Sequence, residues 1–180
     1  MKKVFSIFVI ILSLIAVLLS GCTSEKDVAE KSPKYSHEGL TFDYPALYKN
    51  LNIPAGGEHW KEIFAVKNES TNTSIFLRKY DNAKSINTSS VIEMEKIIMN
   101  HMNDGDMLSE KQSVVNDIQM NRYVGQYKDK TGKKNLKIIG VLFKNPKGNI
   151  IYNLEFVTYV NNYDSMELLA DNVIKSVRFK

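Results

Sequence analysis

The sequence predicts an α+β domain with a mainly antiparallel sheet. Three observations carry this. Apolar runs of period two outnumber those of period 3.6. Strand-like runs follow one another without helices between them over 111–159. Asn145-Pro146-Lys147-Gly148 has the proline and glycine placement of a type I turn, which joins its two flanking runs antiparallel.

In chain order, Leu40, Phe42 and Tyr44 alternate with Thr41 and Asp43, the period of a strand with one buried face, and Pro45 ends it. Residues 46–61 are irregular and contain Pro54-Ala55-Gly56-Gly57. Ile63–Val66 and Ser74–Tyr80 read as strands joined by an Asn/Ser/Thr-rich turn. Residues 90–103 form a helix: Ser90 and Glu93 have capping-box spacing, Val91, Met94, Ile98 and Met102 make its core stripe, and Gly105 is available for a left-handed stop. Lys111–Val115 is a weak strand signal and Gln119–Tyr127 a better one. Leu136–Phe143 is apolar on both alternating sets, as a strand covered on both faces should be. Ile150, Tyr152, Leu154 and Phe156 share a face in its hairpin partner. A final helix over 165–175 carries Met166, Leu169, Ala170, Val173 and Ile174, with Asp164 and Glu167 at capping-box spacing. A short strand over 176–180 closes the chain.

The N-terminal region is of another kind. Lys2-Lys3 precedes an almost unbroken apolar run from Val4 to Leu19, followed by Ser20-Gly21-Cys22. The run is short for a helix that needs about 20 residues to cross a bilayer. Small residues directly before the only cysteine fit a lipobox, with cleavage before Cys22 and a lipid on its sulfur. The expected organisation is a cleaved signal peptide over 1–21, a lipidated N-terminus and polar tether over 22–34, and a folded domain over 35–180. The polar composition that marks the tether runs on to Ser36. Localisation follows: the extracytoplasmic face of the cell membrane, lipid-anchored. A lone cysteine also excludes an internal disulfide and a cysteine-based zinc site.

Gly39-Leu40-Thr41-Phe42-Asp43-Tyr44-Pro45 resembles the opening strand of PsbP-like proteins. The hairpin of 136–159, the capped helix after it and Ile174-Lys175-Ser176-Val177-Arg178-Phe179-Lys180 resemble that family's ending. The resemblance spans 35–180 and implies an α/β/α sandwich around an antiparallel sheet. It also implies action by binding: the plant relative supports the oxygen-evolving complex, and a related fold binds the GTPase Ran. The chain departs from the family after Pro45, where Leu47 and Tyr48 stand in place of a tryptophan; its one tryptophan is Trp60.

The chemistry-bearing residues are sparse. His37, His59 and His101 are present, but no serine sits in a Gly-x-Ser-x-Gly elbow. Gly56-Gly57 lacks the lysine and hydroxyl of a phosphate loop, and no cofactor-binding pattern occurs. Met94, Met99, Met102 and Met107 cluster with His101, a soft donor set, yet Met94 and Met102 belong to the helix's core stripe and Met99 lies off it, so no metal site is assigned. The net charge is +4, and Lys2 and Lys3 leave with the signal, which is too little for nucleic acid. Lys128, Lys130, Lys133, Lys134 and Lys137 surround one hairpin turn and are the candidate surface contact, facing anionic headgroups or cell-wall polymer. Asn68, Asn72 and Asn87 open N-glycosylation patterns, the first two in one surface turn.

The function that these features favour is a non-catalytic, membrane-anchored module binding an unidentified protein partner. A small-ligand or metal-binding lipoprotein and an envelope hydrolase are the alternatives. Cys22→Ala is expected to abolish incorporation of labelled lipid; a variant that still incorporates label contradicts the lipobox.

Overall fold

The computed structural model describes residues 32–53, 56, 60–80 and 87–180. The signal peptide, Cys22, the tether up to residue 31, His59 and most of the 54–59 loop lie outside the described residues. Lys34–His37 (β1) and Leu40–Asp43 (β2) form a hairpin whose turn, Glu38-Gly39, is left-handed at both positions, and Arg178–Phe179 (β10) adds to β2. A larger antiparallel sheet contains Lys49–Asn50 (β3), Trp60–Asn68 (β4), Thr73–Tyr80 (β5), Asp106–Val115 (β6), Ile118–Lys128 (β7), Asn135–Lys144 (β8) and Ile151–Tyr159 (β9), in the order β3-β4-β5-β9-β8-β7-β6. Helix α1 spans Thr88–Asn100, and α2 spans Tyr163–Ser176.

Strand alternation assigns the two faces. Ile75 and Leu77 of β5, Ile139, Val141 and Phe143 of β8, and Tyr152, Leu154 and Phe156 of β9 meet Met166, Ala170, Val173 and Ile174 of α2, with Leu40 and Phe42 from the small sheet. The opposite face presents Tyr80, Tyr123, Ile138, Leu142 and Ile151 to Val91, Ile92 and Met99 of α1. This is an α/β/α sandwich, and β8 is buried on both faces as its composition predicts.

Several local expectations change. Lys34–Ser36 pair with β2 and are not tether. Asn87, not Ser90, caps α1: its Oδ1 accepts from the Ser90 N–H at 2.8 Å, and Glu93 pairs with Lys96. α2 begins at Tyr163 after a 3₁₀ turn over Val160–Asn162, and no side chain caps it. Asp104, not Gly105, takes the left-handed conformation, with φ of 48°. Gly105 is needed for another reason: a side chain there would strike the Met99 carbonyl. β6 is ten residues long, and as an edge strand exposed on both faces it shows no period.

Met94, Ile98 and Met102 were expected in the core and instead lie exposed. The buried face of α1 is Val91, Ile92, Glu95 and Met99.

Gly140 pairs with Tyr123 on one side and Glu155 on the other. The Tyr123 ring lies where a Gly140 side chain would be, which lets its hydroxyl cross β8 and donate to Glu155 at 2.8 Å. Gly140→Ala is therefore expected to cost about 1–3 kcal/mol by overpacking. Gly148→Ala, whose nearest neighbour would be 3.8 Å away, is expected to cost almost nothing. Urea unfolding of the two variants checks this; equal effects would contradict the packing.

Candidate functional site

Beneath α1 lies a polar cluster that sequence reasoning missed. Register builds it: Arg78 of β5 stands directly opposite Glu62 of β4 and Asn153 of β9, and Glu155 lies two residues further along the same face. α1 supplies Glu95 from above. The Arg78 guanidinium reaches Glu155 at 2.9 Å, Glu95 at 3.2 Å and Glu62 at 3.7 Å, and lies 5.3 Å from the centre of the Trp60 ring. Tyr80 donates to Glu95 at 2.9 Å. The Asn153 amide donates to Glu95 at 3.1 Å and to Glu155 at 2.8 Å.

Three carboxylates thus share one guanidinium, and their side chains are only 8 % (Glu62), 4 % (Glu95) and 3 % (Glu155) exposed. Burial, then the facing charge of Glu155, pushes the Glu95 carboxyl up to about 7, against the pull of Arg78. Burial also raises Glu62, again opposed by Arg78. Burial works against the Arg78 charge, but Glu155 and Glu95 more than offset it and hold the guanidinium firmly protonated. Burial and the same carboxylates raise the Tyr80 and Tyr123 hydroxyls, which stay protonated as donors. The cluster is largely buried and linked by hydrogen bonds, with the Arg78 Nε and the Asn153 Oδ1 left without a hydrogen-bond partner among the described residues. It fixes α1 on the sheet and fixes which side of α1 faces outward.

That outward side is apolar. Met94, Ile97, Ile98 and Met102 form an exposed stripe, Leu108 of β6 is exposed beyond it, and Ile97 is 59 % accessible. Its polar surroundings are paired: Lys96 bridges Glu93 and Glu110, and Lys128 bridges Asp104.

The five candidate lysines divide. Lys128 belongs to this rim. Lys134 lies over the Tyr159 ring at 4.8 Å and Lys137 over Tyr163 at 4.0 Å, while Lys130 and Lys133 project from the loop. The loop is held by Asp129, whose Oδ1 accepts from the Thr131 hydroxyl and from the Thr131, Lys133 and Lys134 N–H groups. The Thr131 bond above all lowers its carboxyl below the usual range.

The other candidates do not converge. His37 sits on β1 in one outer layer and His101 at the end of α1 in the other. Met99 is buried under α1 while Met94 and Met102 face away, which splits the soft donor set. Asn68 is turned inward, accepting from the Ser70 N–H and hydroxyl, so the expected surface position holds for Asn72 but not for Asn68. The missed cluster did leave a trace: Asn153 and Glu155 interrupt an otherwise apolar strand on one face, and Val91, Glu95 and Met99 recur at four-residue steps.

Glu95 gives the cluster a pH signature. The unfolded carboxyl ionises near 4.5 and the folded one near 7, so the folded chain holds the extra proton between them. Stability from this group is complete below about 4.5 and is lost as pH rises through 7, by roughly 3 kcal/mol. Glu95→Gln keeps a neutral polar group and is expected to flatten this part of the profile. Urea unfolding at several pH values between about 4.5 and 8 checks it, and an unchanged slope in the variant contradicts the assignment.

No protein-family model matches the chain, and no curated protein matches its sequence. Solved structures do match in shape. Cyanobacterial PsbP (CyanoP) from Synechocystis sp. PCC 6803 aligns with a TM-score of 0.64 at 10% identity, over 89% of this chain and 98% of that one. The Ran-binding protein Mog1p of Saccharomyces cerevisiae aligns at 0.51 and 12% identity, over 82% and 95%. LpqN of Mycobacterium tuberculosis, described as involved in cell envelope biogenesis, aligns at 0.50 and 9% identity, over 78% and 90%. The antiparallel sheet between α1 and α2, with the small β1-β2-β10 sheet beside it, is a fold shared with cyanobacterial PsbP.

Proposed function

We propose that this chain is a non-catalytic binding module of the cell envelope, held at the membrane by lipid on Cys22, and that it docks a protein partner through the outer face of α1. The observation that carries this is the exposed stripe of Met94, Ile97, Ile98 and Met102 on a helix whose inner face is pinned by an ion cluster. An apolar, methionine-rich centre inside a polar rim is the composition of a protein interface. The rim offers no excess of positive charge to an anionic bilayer, since Lys96 is paired with Glu93 and Glu110 and Lys128 with Asp104. The use of this fold by a Ran-binding protein in yeast, and by a protein involved in cell envelope biogenesis, are properties of those proteins that support a binding role and an envelope location here.

Ile97→Asp/Ile98→Asp tests the docking face. Both side chains are exposed, but two acids in the last turn of α1 oppose its dipole, so a loss of about 1–2 kcal/mol is expected and a urea melt verifies that the variant folds. A partner recovered from membranes with the lipidated protein is expected to be lost with the double variant, while any association of the Cys22→Ala protein lacking residues 1–21 with phosphatidylglycerol vesicles is expected to be the same with and without the double substitution. Equal recovery of the partner by the double variant, or vesicle binding abolished by that variant, contradicts the reading.

A further inference from the structure

At the end of the sheet where α2 begins, the lysine loop and the Tyr159–Asn162 segment enclose a cleft of about 470 Å³. Lys133, Lys134, Asn135, Tyr159, Asn161 and Asn162 line it, and no carboxylate does so among the described residues. The acid of the loop, Asp129, directs its Oδ1 onto four loop donors, and its ionised carboxylate offsets part of the lysine charge without forming an ion pair with Lys133 or Lys134. The same bonds hold the loop in one shape, so the lysine backbones are placed before any ligand arrives. Asn162 precedes α2 without capping it; its amide donates instead to the Thr71 carbonyl at 2.7 Å. The positive end of this fourteen-residue helix faces its own Asp164 in the first turn, so the cleft's positive charge comes from the lysines. Two further clefts differ: Asp117 lines the one at the β8–β9 turn, and Asp171 lines the one beside Arg122.

Lysines that form no ion pair among the described residues select an anion as point charges. The asparagine amides offer both donors and acceptors, which match hydroxyl groups. The Tyr159 ring is already a cation-binding surface, covered by Lys134, and offers an apolar face for a sugar ring if that lysine swings onto an anion. The volume suits a small ligand. We propose that this cleft is a binding site for a phosphorylated sugar or polyol. It lies apart from the outer face of α1 and does not depend on that face being a docking surface.

The test is calorimetric titration of the full-length protein in non-ionic detergent with glucose 1-phosphate, inorganic phosphate and glucose. Saturable binding of glucose 1-phosphate is expected, weaker binding of phosphate, and none of glucose. Lys133→Ala/Lys134→Ala is expected to weaken binding about tenfold or more, and Asn161→Asp, which adds a carboxylate to the cleft, by a similar factor. Lys128→Ala, whose amine is paired with Asp104 outside the cleft, should bind as the parent does. All of these positions are on the surface, and a thermal melt verifies that the variants fold. Competition by phosphatidylglycerol vesicles would assign the site to a lipid headgroup; failure to compete would assign it to a free or polymeric sugar phosphate. No saturable binding, or binding unaltered in the double lysine variant, overturns the site. Phosphate binding as tightly as glucose 1-phosphate overturns the sugar assignment.

Discussion

A guanidinium between a sheet and a helix sets a hard constraint. Arg78 points from β5 towards α1 because strand alternation puts it there, and it remains charged at that depth because carboxylates surround it. Two of them, Glu62 and Glu155, come from neighbouring strands; the third must come from the helix. Once Glu95 is turned inward, helical geometry determines the rest. Val91, Ile92 and Met99 fall within an arc about 100° wide around it and are buried, and Met94, Ile97 and Ile98 fall outside. An apolar stripe is left in water because a charged group has taken the buried position.

Such a cluster is a costly way to hold a helix. Desolvation of three carboxylates and a guanidinium consumes much of their attraction, and an apolar replacement of the whole group could be as stable. Ionic pairing adds direction. Removing one member leaves the others buried and unpaired, so the helix has one favoured rotation. Tyr123, lying across Gly140 to reach Glu155, and Asn153, linking Glu95 to Glu155, extend the constraint over β7, β8 and β9. The result is a helix held in one rotation with its apolar side exposed. The lysine-loop cleft, at the end of the sheet where α2 begins, is organised separately by Asp129.

The strands of the central hairpin and the inner face of α2 were legible because burial there follows one rule: apolar residues at the strand or helix period. β6 was only half legible, since an edge strand exposed on both faces has no period to detect. α1 was legible as a helix but not in its orientation. Hydrophobicity alone ranks Met94, Ile98 and Met102 above Glu95, and only the position of Arg78, seventeen residues earlier and on another element, reverses that order. The cap of α1 was misplaced for a related reason: Asn87 and Ser90 both suit the position, and the choice between them rests on where the helix meets the sheet. Of the candidate site residues, the lysines were visible as a cluster. Their division into a rim residue, two ring-covering residues and two projecting ones depends on the loop fold that Asp129 imposes.

The central claim is that the apolar side of α1 faces outward and is covered by a protein in the envelope. Alkylation of a cysteine placed at Ile97, compared with one at Val114 on β6, tests it most directly, because both positions are exposed in the isolated chain. Both cysteines should react in the purified protein, and the one at 97 alone should be protected in intact envelopes. Protection of the cysteine at 97 in the purified protein would contradict the helix orientation, and equal reactivity of the two in envelopes would contradict the docking face.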